Sequence, residues 1–139
     1  MPGPASVAEA IDAETRGAIK ALCVELAWLI DHDRSEQVPA LFTPDGRYES
    51  PRGVMAGAAA LRAGWSDPAR RGGAVGRHVL SNFRLRPAGA DAVAGEVLFV
   101  HHAIATGVTT LGEYHDLYRR SAQDGAWRIA HRRLVLVSA

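Results

Sequence analysis

The stretch AWLIDHDRSEQVPALFTPDGRYESP, residues Ala27–Pro51, decides the fold because a helix end, a short helix and a strand follow one another within it. Upstream of it, apolar residues recur at steps of three and four, which predicts a helix from about Val7 to His32. The polar run from Asp31 ends this helix. Ser35 fits the N-cap of a second helix that runs to about Phe42, where the sequence TPDG signals a turn.

Downstream of this stretch the chain changes from helical to β patterning. Two short strands are expected at 47–50 and 54–56, and a third helix at 58–71. Residues 75–86 alternate, and the segments 92–106, 110–121 and 127–137 are typical of a three-stranded antiparallel meander with a tight QDGA hairpin. The order predicts an α+β fold with the helices packed on one face of a curved antiparallel sheet.

Length and charge exclude several classes of function. The chain has 139 residues, which predicts a single domain over 1–139 with residues 1–6 as a frayed tail. The 16 Lys plus Arg nearly balance the 15 Asp plus Glu, so neither nucleic acid nor an anionic membrane is an expected partner.

Location and redox state follow from the apolar segments and the cysteine count. No apolar run approaches the ~20 residues needed to cross a bilayer, and the first residues do not resemble a signal peptide. Cys23 is the only cysteine, which rules out a disulfide framework and a cysteine metal site. We therefore expect a cytoplasmic protein.

Asp31 is the first candidate for chemistry. It follows an apolar helical face at the C-terminal end of the first helix, where the helix dipole disfavours a carboxylate by about 0.3–1 kcal/mol. One interpretation is a solvated loop in which Arg34 neutralises Asp31 and Asp33. The other is a carboxylate held at the mouth of a pocket.

His78 is the second candidate, in the strand GRHVLSNFRL. Both faces of this strand mix apolar and polar side chains, as expected where a sheet lines a polar cavity. An imidazole suits proton transfer because its ordinary pKa is about 6.5. The alternative is a structural histidine bonded to a backbone carbonyl.

The strand LGEYHDLYRR places Tyr114, Asp116 and Tyr118 on one face. This face either supplies hydrogen bonds to a ligand or forms the solvent side of the sheet. His101 and His102 are adjacent and cannot both point inward, so they make a poor metal pair, and no metal motif occurs elsewhere. Trp28 and Trp65 fit a core or a cavity wall.

Four stretches together resemble the SnoaL-like branch of the nuclear transport factor 2-like superfamily. They are Ala27–Pro51, GRHVLSNFRL (Gly76–Leu85), GEYHDLYRR (Gly112–Arg120) and DGAWRIAHRRLVL (Asp124–Leu136). The resemblance implies a cone-shaped α+β barrel, with three N-terminal helices on a strongly curved antiparallel sheet and a cavity at the helix end. Members include scytalone dehydratase, hexachlorocyclohexane dehydrochlorinase, ketosteroid isomerase and polyketide cyclases.

The resemblance also implies a site. Asp31 and His78 fall on the positions of an Asp–His base pair in the dehydratase and dehydrochlorinase branch. This implies a lyase or isomerase that acts on a small, largely apolar molecule without a metal or organic cofactor. Substrate contacts are expected from six residues: Tyr48, Trp65, Phe99, Tyr114, Asp116 and Trp28. Of these, Tyr114, Asp116 and Tyr48 are the expected proton donors.

The chain departs from the dehydratase pattern at three points. Ile30 and Ser50 stand where the dehydratase has tyrosines, and the second catalytic histidine expected on the third long strand has only Asp116 near it. Two alternatives to an enzyme therefore stay open, a non-catalytic small-molecule binding module and an accessory subunit of the same fold. The resemblance further implies a homodimer or homotrimer paired through the outer sheet face.

Overall fold

The computed structural model describes residues 11–68 and 75–137. In chain order its elements are helix α1 (Ala13–Asp31), a 3₁₀ helix (Ser35–Leu41), strands β1 (Phe42–Ser50) and β2 (Gly53–Ala56), helix α2 (Ala58–Ser66), and strands β3 (Gly76–Gly89), β4 (Ala92–Ala103), β5 (Thr109–Arg120) and β6 (Trp127–Leu136). The expected α+β class is confirmed. None of the helices in these two ranges has the length and apolar character needed to cross a membrane.

The sheet has six strands in the order β2-β1-β6-β5-β4-β3. Strands β3 to β6 form an antiparallel meander of four strands, one more than expected. The sheet is mixed rather than wholly antiparallel, because β1 pairs with β6 in parallel. These two strands are far apart in sequence, so no hairpin forces them to run in opposite directions. The edge strands β2 and β3 do not pair with each other, so the sheet stays open.

Helix α1 supplies most of the helical core. It begins after Asp12, whose side chain accepts a hydrogen bond from the Thr15 backbone N–H at 2.7 Å and so caps the first turn. The expected start at residue 7 lies outside the described residues, and the helix ends at Asp31, one residue early. One face of the helix is buried against the sheet: Ile19, Leu22, Cys23, Leu26, Ala27 and Leu29.

The segment between α1 and β2 differs from the expectation in two ways. The short helix is a 3₁₀ helix that includes Ser35, and Arg34 rather than Ser35 is its N-cap. The TPDG sequence does not end in a turn but lies inside β1, where the pairing with β6 slips between Phe42 and Arg47. A side chain at Gly46 would come within 2.9 Å of the Phe42 Cβ, so the bulge closes tightly on itself.

Helix α2 ends at Ser66, two residues before Pro68, which disfavours helical geometry in the residue before it. The last part of the expected helix, 69–71, lies outside the described residues. The helix buries Leu61 and Trp65 and packs on β1, β2 and the 3₁₀ helix. It therefore closes one side of the space between α1 and the sheet.

The inner face of the sheet changes in character along its length. On β5 the inward residues run from Gly112 through Tyr114 and Asp116 to Tyr118, because alternate side chains of a strand share a face. The Tyr118 end packs into the core with Val93 and Ile129. The Gly112 end lies where α1 terminates, and this is where the cavity opens.

Candidate active site

Asp31 holds His78 through both of its carboxylate oxygens. Oδ1 lies 2.6 Å from the His78 ring nitrogen Nδ1, and Oδ2 accepts a hydrogen bond from the His78 backbone N–H at 2.8 Å. The last residue of α1 is thereby fixed to the start of β3. The Arg77 guanidinium donates to the Asp31 carbonyl oxygen at 3.1 Å, which satisfies a carbonyl at the end of the helix.

Burial sets the protonation of His78. The Asp31 and His78 side chains are only 6% and 10% exposed. Burial lowers the pKa of His78 below its ordinary value, and the hydrogen bond and charge of Asp31 oppose that shift only in part. His78 is therefore neutral at pH 7. The 2.6 Å contact assigns its proton to Nδ1, so Nε2 keeps a lone pair.

A row of polar residues crosses three strands at the cavity mouth. His78 on β3 faces His101 on β4, which in turn faces Thr110 on β5. The two imidazole centroids are 4.5 Å apart. Gly76 lets β3 and β4 approach closely here, because a side chain there would come within 2.1 Å of the His102 carbonyl oxygen and 2.9 Å of the His101 Nε2.

His101 is the site residue that the sequence interpretation missed. It was set aside as one of two adjacent histidines, but only the inward-facing member matters, and His102 instead bonds Thr109. Sequence spacing alone does not give this pairing. A bulge between Ser81 and Arg84 shifts the register of β3 and β4 by one residue, and only beyond that shift does His78 face His101.

The cavity next to this row has a volume of about 370 Å³, within the ordinary size range of small-molecule sites. Its walls come from α1, β1, α2 and the inner face of β3 to β6. The lining residues are Ile30, Tyr48, Ser50, Pro51, Arg52, Trp65, His78, Phe99, His101, Thr110, Tyr114, Leu134 and Leu136. Most of this surface is apolar.

Aromatic rings build the interior of the cavity. Phe99 stacks on Tyr114 with centroids 4.5 Å apart, and Tyr48 meets Trp65 edge to face at 5.3 Å. Gly112 permits the first stack, because a side chain there would come within 2.5 Å of the Phe99 ring. Four of the six expected substrate contacts therefore line the cavity.

Tyr114 offers a hydroxyl to this space. Tyr114 lines the cavity, and the Arg132 guanidinium lies over its ring, 3.8 Å from the centroid. Burial raises the pKa of Tyr114 well above its ordinary value, although the charge of Arg132 opposes the shift. The hydroxyl is therefore a permanent hydrogen-bond donor and not a base.

Asp116 does not line the cavity, contrary to the expectation. Both of its oxygens accept hydrogen bonds from Arg132, at 2.9 and 2.8 Å, and it also accepts one from the Tyr118 hydroxyl. The Asp116 and Arg132 side chains are 0% and 1% exposed. Cys23 closes this cluster with contacts to Tyr118 and Arg132, and burial raises the pKa of its thiol. Asp116 is thus a member of a sealed ion pair.

Trp28 also lies away from the cavity. It faces outward on α1 with 45% of its surface exposed, and it stacks on His32 one turn later at a centroid distance of 4.1 Å. The helical spacing explains the difference, because the core face of α1 runs through Leu26 and Leu29 and leaves position 28 on the other side.

Three residues at the mouth have the donor types of a metal site. One ligand atom each from Asp31, His78 and His101 lies within 4.8 Å of the other two. Two imidazoles and a carboxylate suit zinc and other first-row metals. The 2.6 Å contact between Asp31 and His78 is a hydrogen-bond distance, so an ion bound by both would have to displace the shared proton.

Comparison with known proteins agrees with this architecture. Residues 12–133 match the SnoaL-like domain. No curated protein matches the chain in sequence. Among solved structures, a protein of unknown function from Mycobacterium tuberculosis is similar with a TM-score of 0.76 and 29% identity, over 89% of this chain and 72% of that one.

Two further solved structures share the fold at lower identity. A proposed scytalone dehydratase from Novosphingobium aromaticivorans has a TM-score of 0.71 and 21% identity, over 88% of this chain and 84% of its own. A type 2 hexachlorocyclohexane dehydrochlorinase has a TM-score of 0.74 and 18% identity, over 90% and 86%.

Proposed function

The chain belongs to the SnoaL-like domain family, and from that premise we propose that it is a lyase or isomerase whose base is His78, held by Asp31. The observation that carries the proposal is the 2.6 Å contact between Asp31 Oδ1 and His78 Nδ1 at the mouth of an apolar cavity. An organic cofactor or a metal is not needed for the chemistry, since a neutral imidazole is itself a competent base near pH 7.

His78 is the member of this pair that accepts and returns the substrate proton. The substrate C–H bond beside a carbonyl breaks, its proton passes to His78 Nε2, and its electron pair moves onto the carbonyl oxygen as an enolate. Asp31 accepts the Nδ1–H hydrogen bond throughout and stabilises the imidazolium that forms. In an isomerisation His78 returns the proton to a second carbon. In an elimination the enolate electron pair expels a hydroxide, which takes the proton from the His78 imidazolium and leaves as water.

Two groups can donate to the oxygen on which charge develops. Tyr114 lies inside the cavity and keeps its proton because of its raised pKa. His101 lies at the mouth, beside His78. A donor aimed at a developing oxyanion contributes roughly 10²–10³ in rate. Tyr114 is the better placed for an enolate oxygen, and His101 for a leaving hydroxyl near the mouth.

The cavity walls define the substrate class. A space of about 370 Å³ holds a small molecule of one or two rings. Phe99, Trp65 and Tyr48 present ring faces and edges to it. We propose that these three residues bind a small, largely apolar substrate.

A non-catalytic binding module is the second candidate. The observation in its favour is that the Asp31 and His78 side chains are nearly covered, at 6% and 10% exposure. A dyad that substrate cannot reach would serve to fix α1 to β3, and the cavity would then hold a ligand without converting it. An accessory subunit would use the same fold and would co-purify with a larger chain.

The test is proton exchange from solvent into substrate. A panel of small cyclic ketones and β-hydroxy ketones in D₂O, followed by NMR, detects C–H exchange and dehydration in one measurement. We expect activity to fall about 10²–10⁴-fold in Asp31→Asn and His78→Ala. His102→Gln, on the same strand as His101 but bonded outward, is the matched control and should retain it. Full activity in both folded dyad variants would show that the Asp31–His78 pair is not the base, whereas no exchange or dehydration of any panel member by the parent protein would favour the binding module.

We also propose that the chain self-associates as a homodimer or homotrimer through the outer sheet face. Val79 and Val137 are 61% and 56% exposed, and they flank Val100 and Leu111 in one row across β3 to β6. Light scattering should show Val79→Lys as a smaller species than the parent protein. Val24→Lys, equally exposed on α1, is the control and should leave the assembly unchanged.

A further inference from the structure

A second cavity lies away from the candidate active site and shares no lining residue with it. Its volume is about 700 Å³, and it opens between the 3₁₀ helix, the start of β1, the start of α2 and the hairpin that joins β5 to β6. The apolar part of its wall is Pro39, Ala40, Phe42 and Pro44.

Four arginines from three separate elements line this cavity. Arg120 is held by Asp91 at 2.7 Å and Arg128 by Asp124 at 2.8 Å. Arg62 on α2 and Arg119 on β5 form no ion pair with any residue in the two described ranges. Two guanidinium groups are thus positioned by carboxylates and two remain available.

The acids in the wall do not balance this charge. Glu36 and Asp124 are the carboxylates that line the cavity, against four guanidinium groups. Asp124 is already engaged with Arg128 through both of its oxygens. Asp91 neutralises Arg120 from outside the wall. Arg62 and Arg119 therefore face one remaining acid, Glu36. An anion that enters meets a surplus of one positive charge, with planar N–H donors suited to oxyanions.

The start of α2 adds a second, independent attraction for an anion. Ala58, the first residue of this nine-residue helix, lines the cavity. Gly57 occupies the N-cap and has no side chain to accept from the first-turn N–H groups. These backbone donors and the positive end of the helix dipole favour a negative group at this point.

We propose that this cavity binds the phosphate group of a small organic phosphate. The two available arginines and the first turn of α2 hold the phosphate oxygens, and the apolar wall takes the organic part. A phosphate monoester carries a charge of about −1.5 to −2 at pH 7, and the guanidinium groups of Arg62 and Arg119 supply the two positive charges that face it. The site does not depend on the base chemistry of His78.

The test is calorimetric titration with phenyl phosphate and, in a separate arm, inorganic phosphate at low salt. We expect saturable 1:1 binding that is tighter for phenyl phosphate, since only that probe uses the apolar wall. Arg62→Gln and Arg119→Gln should each weaken it by about fivefold or more, because hydrogen bonds to charged groups are among the strong ones. Arg84→Gln, an exposed arginine on β3 that does not line the cavity, should leave it unchanged.

Amide NMR identifies where the probe binds. Shifts at 58–62 and 119–128, with none at His78 and His101, support the proposal. It is overturned by no saturable binding up to about 10 mM, by equal weakening in Arg84→Gln, or by shifts confined to the His78 cavity. Circular dichroism checks that each variant is folded. Arg62 and Arg119 are both exposed, so if one variant fails to fold, the other still tests the proposal.

Discussion

Two carboxylates, Asp116 on the inner face of the sheet and Asp31 at the end of α1, bind nitrogen groups in very different ways. Asp116 pairs with Arg132 and Tyr118 in the core, and every oxygen and guanidinium group in that cluster has a protein partner. Asp31 pairs with His78 at the cavity mouth, and the pair leaves one ring nitrogen uncommitted.

The difference separates a structural pair from a chemical one. A fully satisfied ion pair has no atom left to offer a ligand, so the Asp116 cluster fixes the register of β5 and β6 and lies under Tyr114. The side chains of the Asp31 pair are slightly more exposed, at 6% and 10%, and the partner of this carboxylate is a neutral histidine that borders a cavity. A ring nitrogen that keeps its lone pair beside a cavity, rather than burial alone, marks the candidate site.

The largest expected effect comes from Asp116→Asn. Loss of the carboxylate leaves Arg132 as a buried charge without its counterion, which costs about 3–5 kcal/mol of unfolding free energy. Asp31→Asn leaves only a neutral histidine and should cost about 1–2 kcal/mol. Urea unfolding measures both. Equal losses in the two variants would remove the distinction between the pairs.

Gly112→Ala should disturb the cavity rather than the sealed pair. The added methyl would come within 2.5 Å of the Phe99 ring, and such overpacking costs about 1–3 kcal/mol. Phe99 must then move off Tyr114. Near-UV circular dichroism and urea unfolding would report the change, and Gly17→Ala, at a position with open space, serves as the control. The control should be unchanged or slightly more stable, because alanine favours a helix interior, and a Gly112→Ala protein that behaves in the same way would contradict the close approach.

Tyr114→Phe tests which cluster the hydroxyl serves. If it donates into the cavity, turnover should fall by about 10-fold or more while the unfolding free energy changes by less than about 1 kcal/mol. Tyr118→Phe, which removes the hydrogen bond to Asp116, should show the reverse pattern. Steady-state kinetics and urea unfolding on the two variants separate the roles, and a Tyr114 variant with full turnover would place that hydroxyl outside the reaction.

The smallest effect is a pH dependence of stability. The pKa of His78 is lowered in the folded protein by burial, so the unfolded chain takes up its proton more readily. The neutral His78 therefore contributes to the free energy of unfolding above about pH 6.5, the ordinary pKa of histidine, and this contribution is lost as the pH falls. Between pH 7.5 and 5.5, the unfolding temperature of His78→Gln should fall by less than that of the parent chain. Identical drops in both proteins would contradict the lowered pKa.

The sequence predicted the fold more completely than it predicted the site. Helical spacing and strand alternation predicted the element order, but the parallel pairing of β1 and β6 joins segments far apart in the chain, and no local pattern encodes it. TPDG predicted a turn from its residue types, whereas the neighbouring strand β6 stabilised it as a bulge.

The site residues divide along the same line. Asp31 and His78 were identified by an unfavoured helix position and a resemblance. Whether Asp116 and His101 belong to the site depends on the side chains opposite them on the neighbouring strands. Arg132 pairs with Asp116 across the strand and seals it, and His78 sits across from His101 and turns it into a site residue. Cross-strand register is a tertiary property, and an alternating pattern alone does not specify it.

The most direct measurement is the tautomer and titration of His78 by ¹⁵N NMR of its ring nitrogens. The account predicts a neutral ring at pH 7 with the proton on Nδ1, a bare Nε2 and a pKa below the ordinary value. Asp31→Asn should lower that pKa further, because the Asp31 hydrogen bond and charge raise it. A ring protonated at pH 7, or a proton on Nε2 with Nδ1 bare, would contradict the base pair on which the proposed function depends.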